Sequence, residues 1–275
     1  MPKRIVGSGK HTYEVVSPFG KLPEDMRLGA CSAVAVDSKD RVYVLQRQDP
    51  PVLVFDTSGN LLSNWGTGLI TEGHGIYISP QDHVFFTDKD GHEVLKCTTE
   101  GKVLIRLGKR DHPSFQAPFS HPADVAVSKS GDIFVADGYG NSNVHRFSAD
   151  GKHRMSWGVP GAKPGEFTTP HGIWVDSRDR VIVADRENNR LQLFSVEGDL
   201  LGIWTDFFHP MDLYLDAEGM VYVTDQIPRL SVLTPDGKLV ARFLHRAHGT
   251  WGDSKGSLYS AWPGNPIMKL ARVGS

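Results

Sequence analysis

The chain has 275 residues, a formal net charge of −2 and 39% hydrophobic residues. That is enough to bury a substantial core, and it leaves no basic excess with which to bind a nucleic acid. No stretch approaches the roughly 20 apolar residues of a membrane-spanning helix. The basic start Met1 to Lys10 is not followed by an apolar run of signal-peptide length, so the expectation is a cytoplasmic protein with no membrane partner. Cys31 and Cys97 are the only cysteines and lie in different repeat units, which argues against a disulfide framework.

One pattern recurs along the chain: a short apolar strand, a polar turn, a second apolar strand, then two more strands joined by a Gly-containing turn. The first-strand cores are 33–37, 75–79, 124–128, 172–176, 212–216 and 249–253. Second strands follow at 42–45, 84–87, 133–136, 181–184, 221–224 and 258–261, and four of them run into an aspartate, Asp88, Asp137, Asp185 and Asp225. A spacing of roughly 40 to 50 residues is that of propeller blades. A four-stranded meander cannot bury both its faces alone, so the pattern predicts an all-β, six-bladed β-propeller over residues 1–275 as one domain. The last repeat supplies only three strands, ending near Arg272, while 12–16 is an unassigned extended segment. This segment is expected to complete the last blade and close the ring.

First strands of a propeller line the central channel, so the six equivalent positions at their starts form a ring at one mouth. That ring reads Ser32, His74, Ala123, His171, Met211 and His248. The three histidines fall on alternate blades, about 120° apart, and each precedes a glycine. Three neutral imidazoles on a rigid frame with a fourth position open are the ligand set of a catalytic zinc site. A single histidine at a strand start is more commonly structural, and His121 and His209, each before a proline, are read that way. Arg47, Tyr139 and Arg186 follow second strands, where connecting loops cross the same mouth. Cations beside a tyrosine favour phenolate, and arginine can clamp a carboxylate through paired hydrogen bonds. The competing reading makes Arg186 and Arg190 surface charges solvating a turn and Tyr139 a residue packed on a neighbouring blade.

The units resemble NHL repeats. Segments 120–127, 136–142, 164–167, 169–171 and 183–190, with Trp157-Gly158, resemble the peptidyl-α-hydroxyglycine α-amidating lyases. The resemblance implies a six-bladed propeller with zinc on His74, His171 and His248, a catalytic Tyr139, and active-site arginines at Arg47 and Arg186. It also implies a structural calcium at the carbonyls of Val34 and Ile76. The carboxylate ligand of that calcium corresponds here to Gly249, which argues against the ion, and the family's cysteine after the tyrosine corresponds to Gly140. The implied reaction is zinc-dependent cleavage of the C–N bond of an N-(α-hydroxyacyl) amide, a carbinolamide, giving a primary amide and an α-oxo acid such as glyoxylate. The partner would be a small-molecule or short-peptide α-hydroxy amide. In that scheme Arg47 holds Tyr139 ionised and Arg186 orients the substrate carboxylate. Two other readings remain open: a zinc hydrolase of an amide, ester or lactone, and a non-enzymatic propeller that binds a protein partner. Gluconolactonase-like propellers bind metal through carboxylates and an amide and fit this histidine ring less well. The oligomeric state is not legible.

Overall fold

The computed structural model describes residues 3–274, so the expected domain limits at 1 and 275 lie just outside the described residues. Six antiparallel sheets follow one another along the chain, and no α-helix occurs among the described residues; a single 3-10 turn spans Arg186–Asn188. The inner strands are Cys31–Val36, Gly73–Ile78, Asp124–Val127, Pro170–Val175, Pro210–Leu215 and Gly249–Gly252. Second strands lie at Val42–Gln46, Val84–Asp88, Ile133–Asp137, Val181–Asp185, Val221–Asp225 and Leu258–Ala261. All six inner strands match the repeat phase read from the sequence.

Burial falls from the axis outward. Every residue of the six second strands is buried, whereas the outer strands Leu61–Trp65 and His153–Trp157 are mostly exposed or half-buried. A sheet covered on both faces selects continuous Val, Ile and Phe runs, and one with a wet face tolerates polar residues. Blades pack on one another through aromatic side chains, as Trp65 does on Phe86 and Trp157 on Phe194.

Ring closure follows the expectation and exceeds it. His11–Val16 pairs with Met268–Arg272, with Tyr13 opposite Arg272 and Val16 opposite Lys269. A further strand, Ile5–Ser8, pairs back onto it, so the last blade has five strands rather than four. Tyr13 is completely buried at the join, with its ring against Phe243 of the preceding blade.

Two local devices place side chains at the mouth. In four inner strands the pairing register shifts near the start, between Gly73 and Ile76 and between Pro170 and Ile173 for example. Such a bulge re-aims side chains that strict alternation would send to opposite faces. The aspartates ending the second strands then fix the segments that lead in. Asp88 accepts the backbone N–H groups of Thr71 and Glu72 at 2.8 Å each, Asp137 that of Ser120, and Asp185 that of Thr168. All of these carboxylates are fully buried, so each loop is tied at the residue where it enters the ring.

Candidate metal centre and active site

His74, His171 and His248 meet on the axis. Their ring centroids are 4.8, 4.8 and 5.0 Å apart, and their ligand nitrogens all lie within 4.8 Å of one another. Each Nδ1 donates to a main-chain carbonyl of a neighbouring blade: His74 to Ala123 at 2.7 Å, His171 to Met211 at 2.6 Å, and His248 to Ser32 at 2.8 Å. The three ring positions without histidine therefore supply the carbonyls that orient the three with it. A proton fixed on Nδ1 leaves Nε2 as a lone pair aimed inward, the usual tautomer of a metal-bound imidazole.

The glycine after each histidine has a steric cause. A Cβ on Gly75 would lie 2.4 Å from Asp124 Oδ1 and 2.8 Å from the Ala123 carbonyl, and one on Gly172 would lie 2.9 Å from the Met211 carbonyl. Only a residue without a side chain lets the next blade bring its carbonyl within reach of Nδ1.

Burial holds all three imidazoles neutral. It moves His74 and His171 well below the ordinary histidine range, with the neighbouring imidazoles of the trio adding to the effect, and it brings His248 down to about 4. Neutral donors are what a divalent cation requires.

Tyr139 Oη stands 3.0 Å from both His74 Nε2 and His171 Nε2. A phenol has one proton and faces two lone pairs here, so it satisfies one imidazole and leaves the other directed at the same point. That surplus of acceptors is what a cation would satisfy, and the donor set fits zinc. The phenol is 40% exposed, which opens this point to the mouth. Arg186 donates from Nη1 to Tyr139 Oη at 3.3 Å and lies 5.4 Å over its ring, while its Nε pairs with Glu187 at 2.9 Å.

The two arginines contact partners other than those the resemblance implies. Arg186, expected on the substrate carboxylate, is the guanidinium against the phenol. Arg47, expected there, pairs instead with Glu72 at 3.0 Å, because the segment leading to His74 brings that carboxylate beside it. A second cation on the phenol, Lys89, was missed. Its Nζ lies 5.5 Å from the Tyr139 ring centroid and pairs with the same Glu72 oxygen at 3.1 Å and with Asp90 at 3.3 Å. The signal was available, since Lys89 follows its second strand as Arg47 and Arg186 follow theirs. His121 and His209 stay outside the trio: His121 packs edge-on against His92, and His209 lies beside Glu187.

Below the histidines the channel holds a cavity of about 20 Å³, room for about one water, lined in part by Asp124 and Asp212. Both carboxyls accept a backbone N–H, Asp124 that of Ile173 and Asp212 that of Thr250. Desolvation raises both above the usual carboxylate range, and for Asp124 the charge of Asp212 adds to it. Beneath them Tyr77, Trp174, Tyr214 and Trp251 pack with centroids 4.6 to 5.7 Å apart and plug the channel, leaving the mouth as the way in. Cys31 and Cys97 are free and buried, each thiol pushed up to about 12 by desolvation.

No helix of the structure is long and apolar enough to cross a membrane. The NHL repeat model matches residues 119–147 and 167–194. Human NHL repeat-containing protein 3 is 34% identical over 83% of this chain, which spans 66% of that protein's length. A probable peptidyl-α-hydroxyglycine α-amidating lyase of Caenorhabditis elegans is 36% identical over 54% of this chain and 45% of its own length. Among solved structures, a streptogramin B lyase superposes with a TM-score of 0.71 over 90% of this chain and 94% of the other, at 14% identity, a likeness of fold. The chain is an NHL-repeat protein, homologous both to NHL repeat-containing protein 3 and to the peptidyl-α-hydroxyglycine α-amidating lyases.

Proposed function

We propose that this protein is a zinc-dependent lyase that cleaves the C–N bond of a carbinolamide, R–CO–NH–CH(OH)–COO⁻, to a primary amide and glyoxylate or a related α-oxo acid. The observation that carries this reading is the convergence of three Nε2 lone pairs, one phenol oxygen and one guanidinium N–H on a single point at the mouth. Homology to named amidating lyases supports it.

His74, His171 and His248 would hold the zinc, which supplies Lewis acidity toward a hydroxyl oxygen. Tyr139 Oη takes the proton of the substrate hydroxyl. The Arg186 N–H aimed at that oxygen, and the Lys89 ammonium beside the ring, stabilise negative charge developing there. The hydroxyl oxygen pair then forms the carbonyl, the C–N bonding pair leaves on nitrogen, and Tyr139 returns the proton to that nitrogen. No atom of water enters the products. The substrate carboxylate sits toward Arg186, Lys89 and Arg47, which fixes the carbinol carbon under the phenol.

The test uses purified, zinc-reconstituted protein and N-benzoyl-α-hydroxyglycine, with products read by mass spectrometry. Benzamide and glyoxylate should appear well above the protein-free rate. Benzoate in place of benzamide would identify a hydrolase, and no acceleration of either would dismiss the enzyme. Tyr139→Phe should abolish turnover while leaving the zinc content unchanged; a retained rate would remove the phenol from the mechanism.

A further inference from the structure

The residue that follows each second strand forms another ring, above the histidines. It reads Arg47, Lys89, Gly138, Arg186, Gln226 and Trp262, with Tyr139 next to the glycine. Its charges are unevenly placed. Arg47, Lys89 and Arg186 come from the first, second and fourth blades, two of them beside the phenol and Arg47 joined to Lys89 through Glu72. The fifth and sixth blades contribute an amide and an indole.

The indole belongs to the site. The Trp262 ring lies 6.4 Å from His248, inclined at 74°, and it is half-buried. Arg246 stacks 4.7 Å over it, so one face is covered and the ring is held in place. The mouth-side connections on this side carry apolar side chains in the open: Phe208, Ile227 and Leu244 are 46%, 39% and 70% exposed. Met211, the histidine-ring residue of the fifth blade, lines the channel beneath.

A carbinolamide has two unlike ends, a carboxylate on the carbinol carbon and an acyl group on the amide. Resting on the lyase reading above, we propose that Trp262 is a specificity-determining residue: it forms an apolar wall for the acyl group and selects substrates with an apolar, preferably aromatic, acyl chain. With the carboxylate drawn to the cationic arc, the acyl group is directed across the axis toward the fifth and sixth blades. A cationic acyl chain there would lose hydration against the indole and meet the like charge of Arg246. An aromatic one buries its face.

The experiment compares kcat/KM for N-phenylacetyl- and N-acetyl-α-hydroxyglycine in the zinc-loaded protein and in Trp262→Ala. A ratio of two substrates on one sample is insensitive to the fraction of protein that is folded or metallated. The ratio should favour phenylacetyl by about tenfold or more in the natural protein and fall by about tenfold in Trp262→Ala, the scale of hydrophobic-pocket discrimination. Trp262→Phe should restore most of it. An unchanged ratio in Trp262→Ala overturns the proposal.

Calorimetric binding of the unreactive N-phenylacetylglycine and N-acetylglycine separates this proposal from the lyase reading. Tighter binding of the aromatic analogue, lost in Trp262→Ala, with no glyoxylate from either substrate, would remove the reaction and keep the wall. Equal binding of the two analogues would remove the wall, whatever the turnover.

Discussion

Acid should unfold the metal-free protein in a way that can be traced to one imidazole. His248 is buried, its Nδ1 is committed to the Ser32 carbonyl, and its pKa falls from 6.5 to about 4 on folding. The unfolded chain therefore takes up a proton at this residue first. The group contributes stability above pH 6.5, and that contribution is lost as pH falls toward 4. At about 1.4 kcal/mol per tenfold change in proton affinity the full difference is about 3.5 kcal/mol, of which about 3 kcal/mol is expressed between pH 6.5 and pH 4. Asn at position 248 cannot titrate but can still donate to Ser32. Urea unfolding of the natural protein and of His248→Asn in chelator, at pH 6.5 and pH 4, isolates the effect. The buried carboxyls Asp124 and Asp212 drive stability the opposite way over this range, but both samples share them. The natural protein should lose about 3 kcal/mol more than the variant. Equal losses would mean that His248 does not pass from a wet to a dry environment on folding, and the account of a pre-formed neutral ligand set would fail.

Two further outcomes follow from the same geometry. His171→Ala should reduce bound zinc from about one equivalent to a small fraction, as read by elemental analysis of protein prepared without chelator, because two imidazoles hold the ion far less tightly than three. Full zinc content in this variant would place the metal elsewhere. At the ring closure Tyr13 is fully buried, so Tyr13→Ala should lower the melting temperature by on the order of 10 °C, corresponding to about 3–5 kcal/mol for a lost aromatic in a core. An unshifted melt would show that the N-terminal strand is not part of the cooperative unit.

The parts of this molecule that were legible beforehand are those that depend on repeat phase. Once the six first strands are in register, the positions of His74, His171 and His248 follow, because equivalent residues of a radial repeat occupy equivalent places around an axis. What the phase could not supply is which side chain reaches which partner across two loops. Arg47 and Arg186 are equivalent in phase, yet Glu72 captures one and Glu187 attends the other while it bonds to Tyr139. Those carboxylates come from connections with no common pattern. Lys89 shares the phase of the two arginines, but its setting in Asp88-Lys-Asp-Gly91 has the composition of a solvated turn, which masks that equivalence. The strand Ile5–Ser8 was concealed by Gly7, which looks like a turn residue but pairs with Thr12, while the turn itself falls at Gly9 and Lys10.

The alternation of histidines around the ring does more than space three imidazoles. Each imidazole is oriented by the carbonyl of a blade that carries none, so every ring of the trio is held by an inter-blade contact, and the trio is only as rigid as the ring is closed. The seam where the chain ends meet tests this most severely. His248 belongs to the last blade, the one completed by His11–Val16, and its Nδ1 bonds to Ser32 of the first blade. One of the three orienting bonds therefore spans the closure itself. In a solenoid open at both ends, the first and last units would be free to splay, and a ligand set shared between them would loosen with each fluctuation. Closing the last blade with the N-terminal strand ties those units by backbone hydrogen bonds, so the pairing that stabilises the propeller also fixes the third imidazole of the trio.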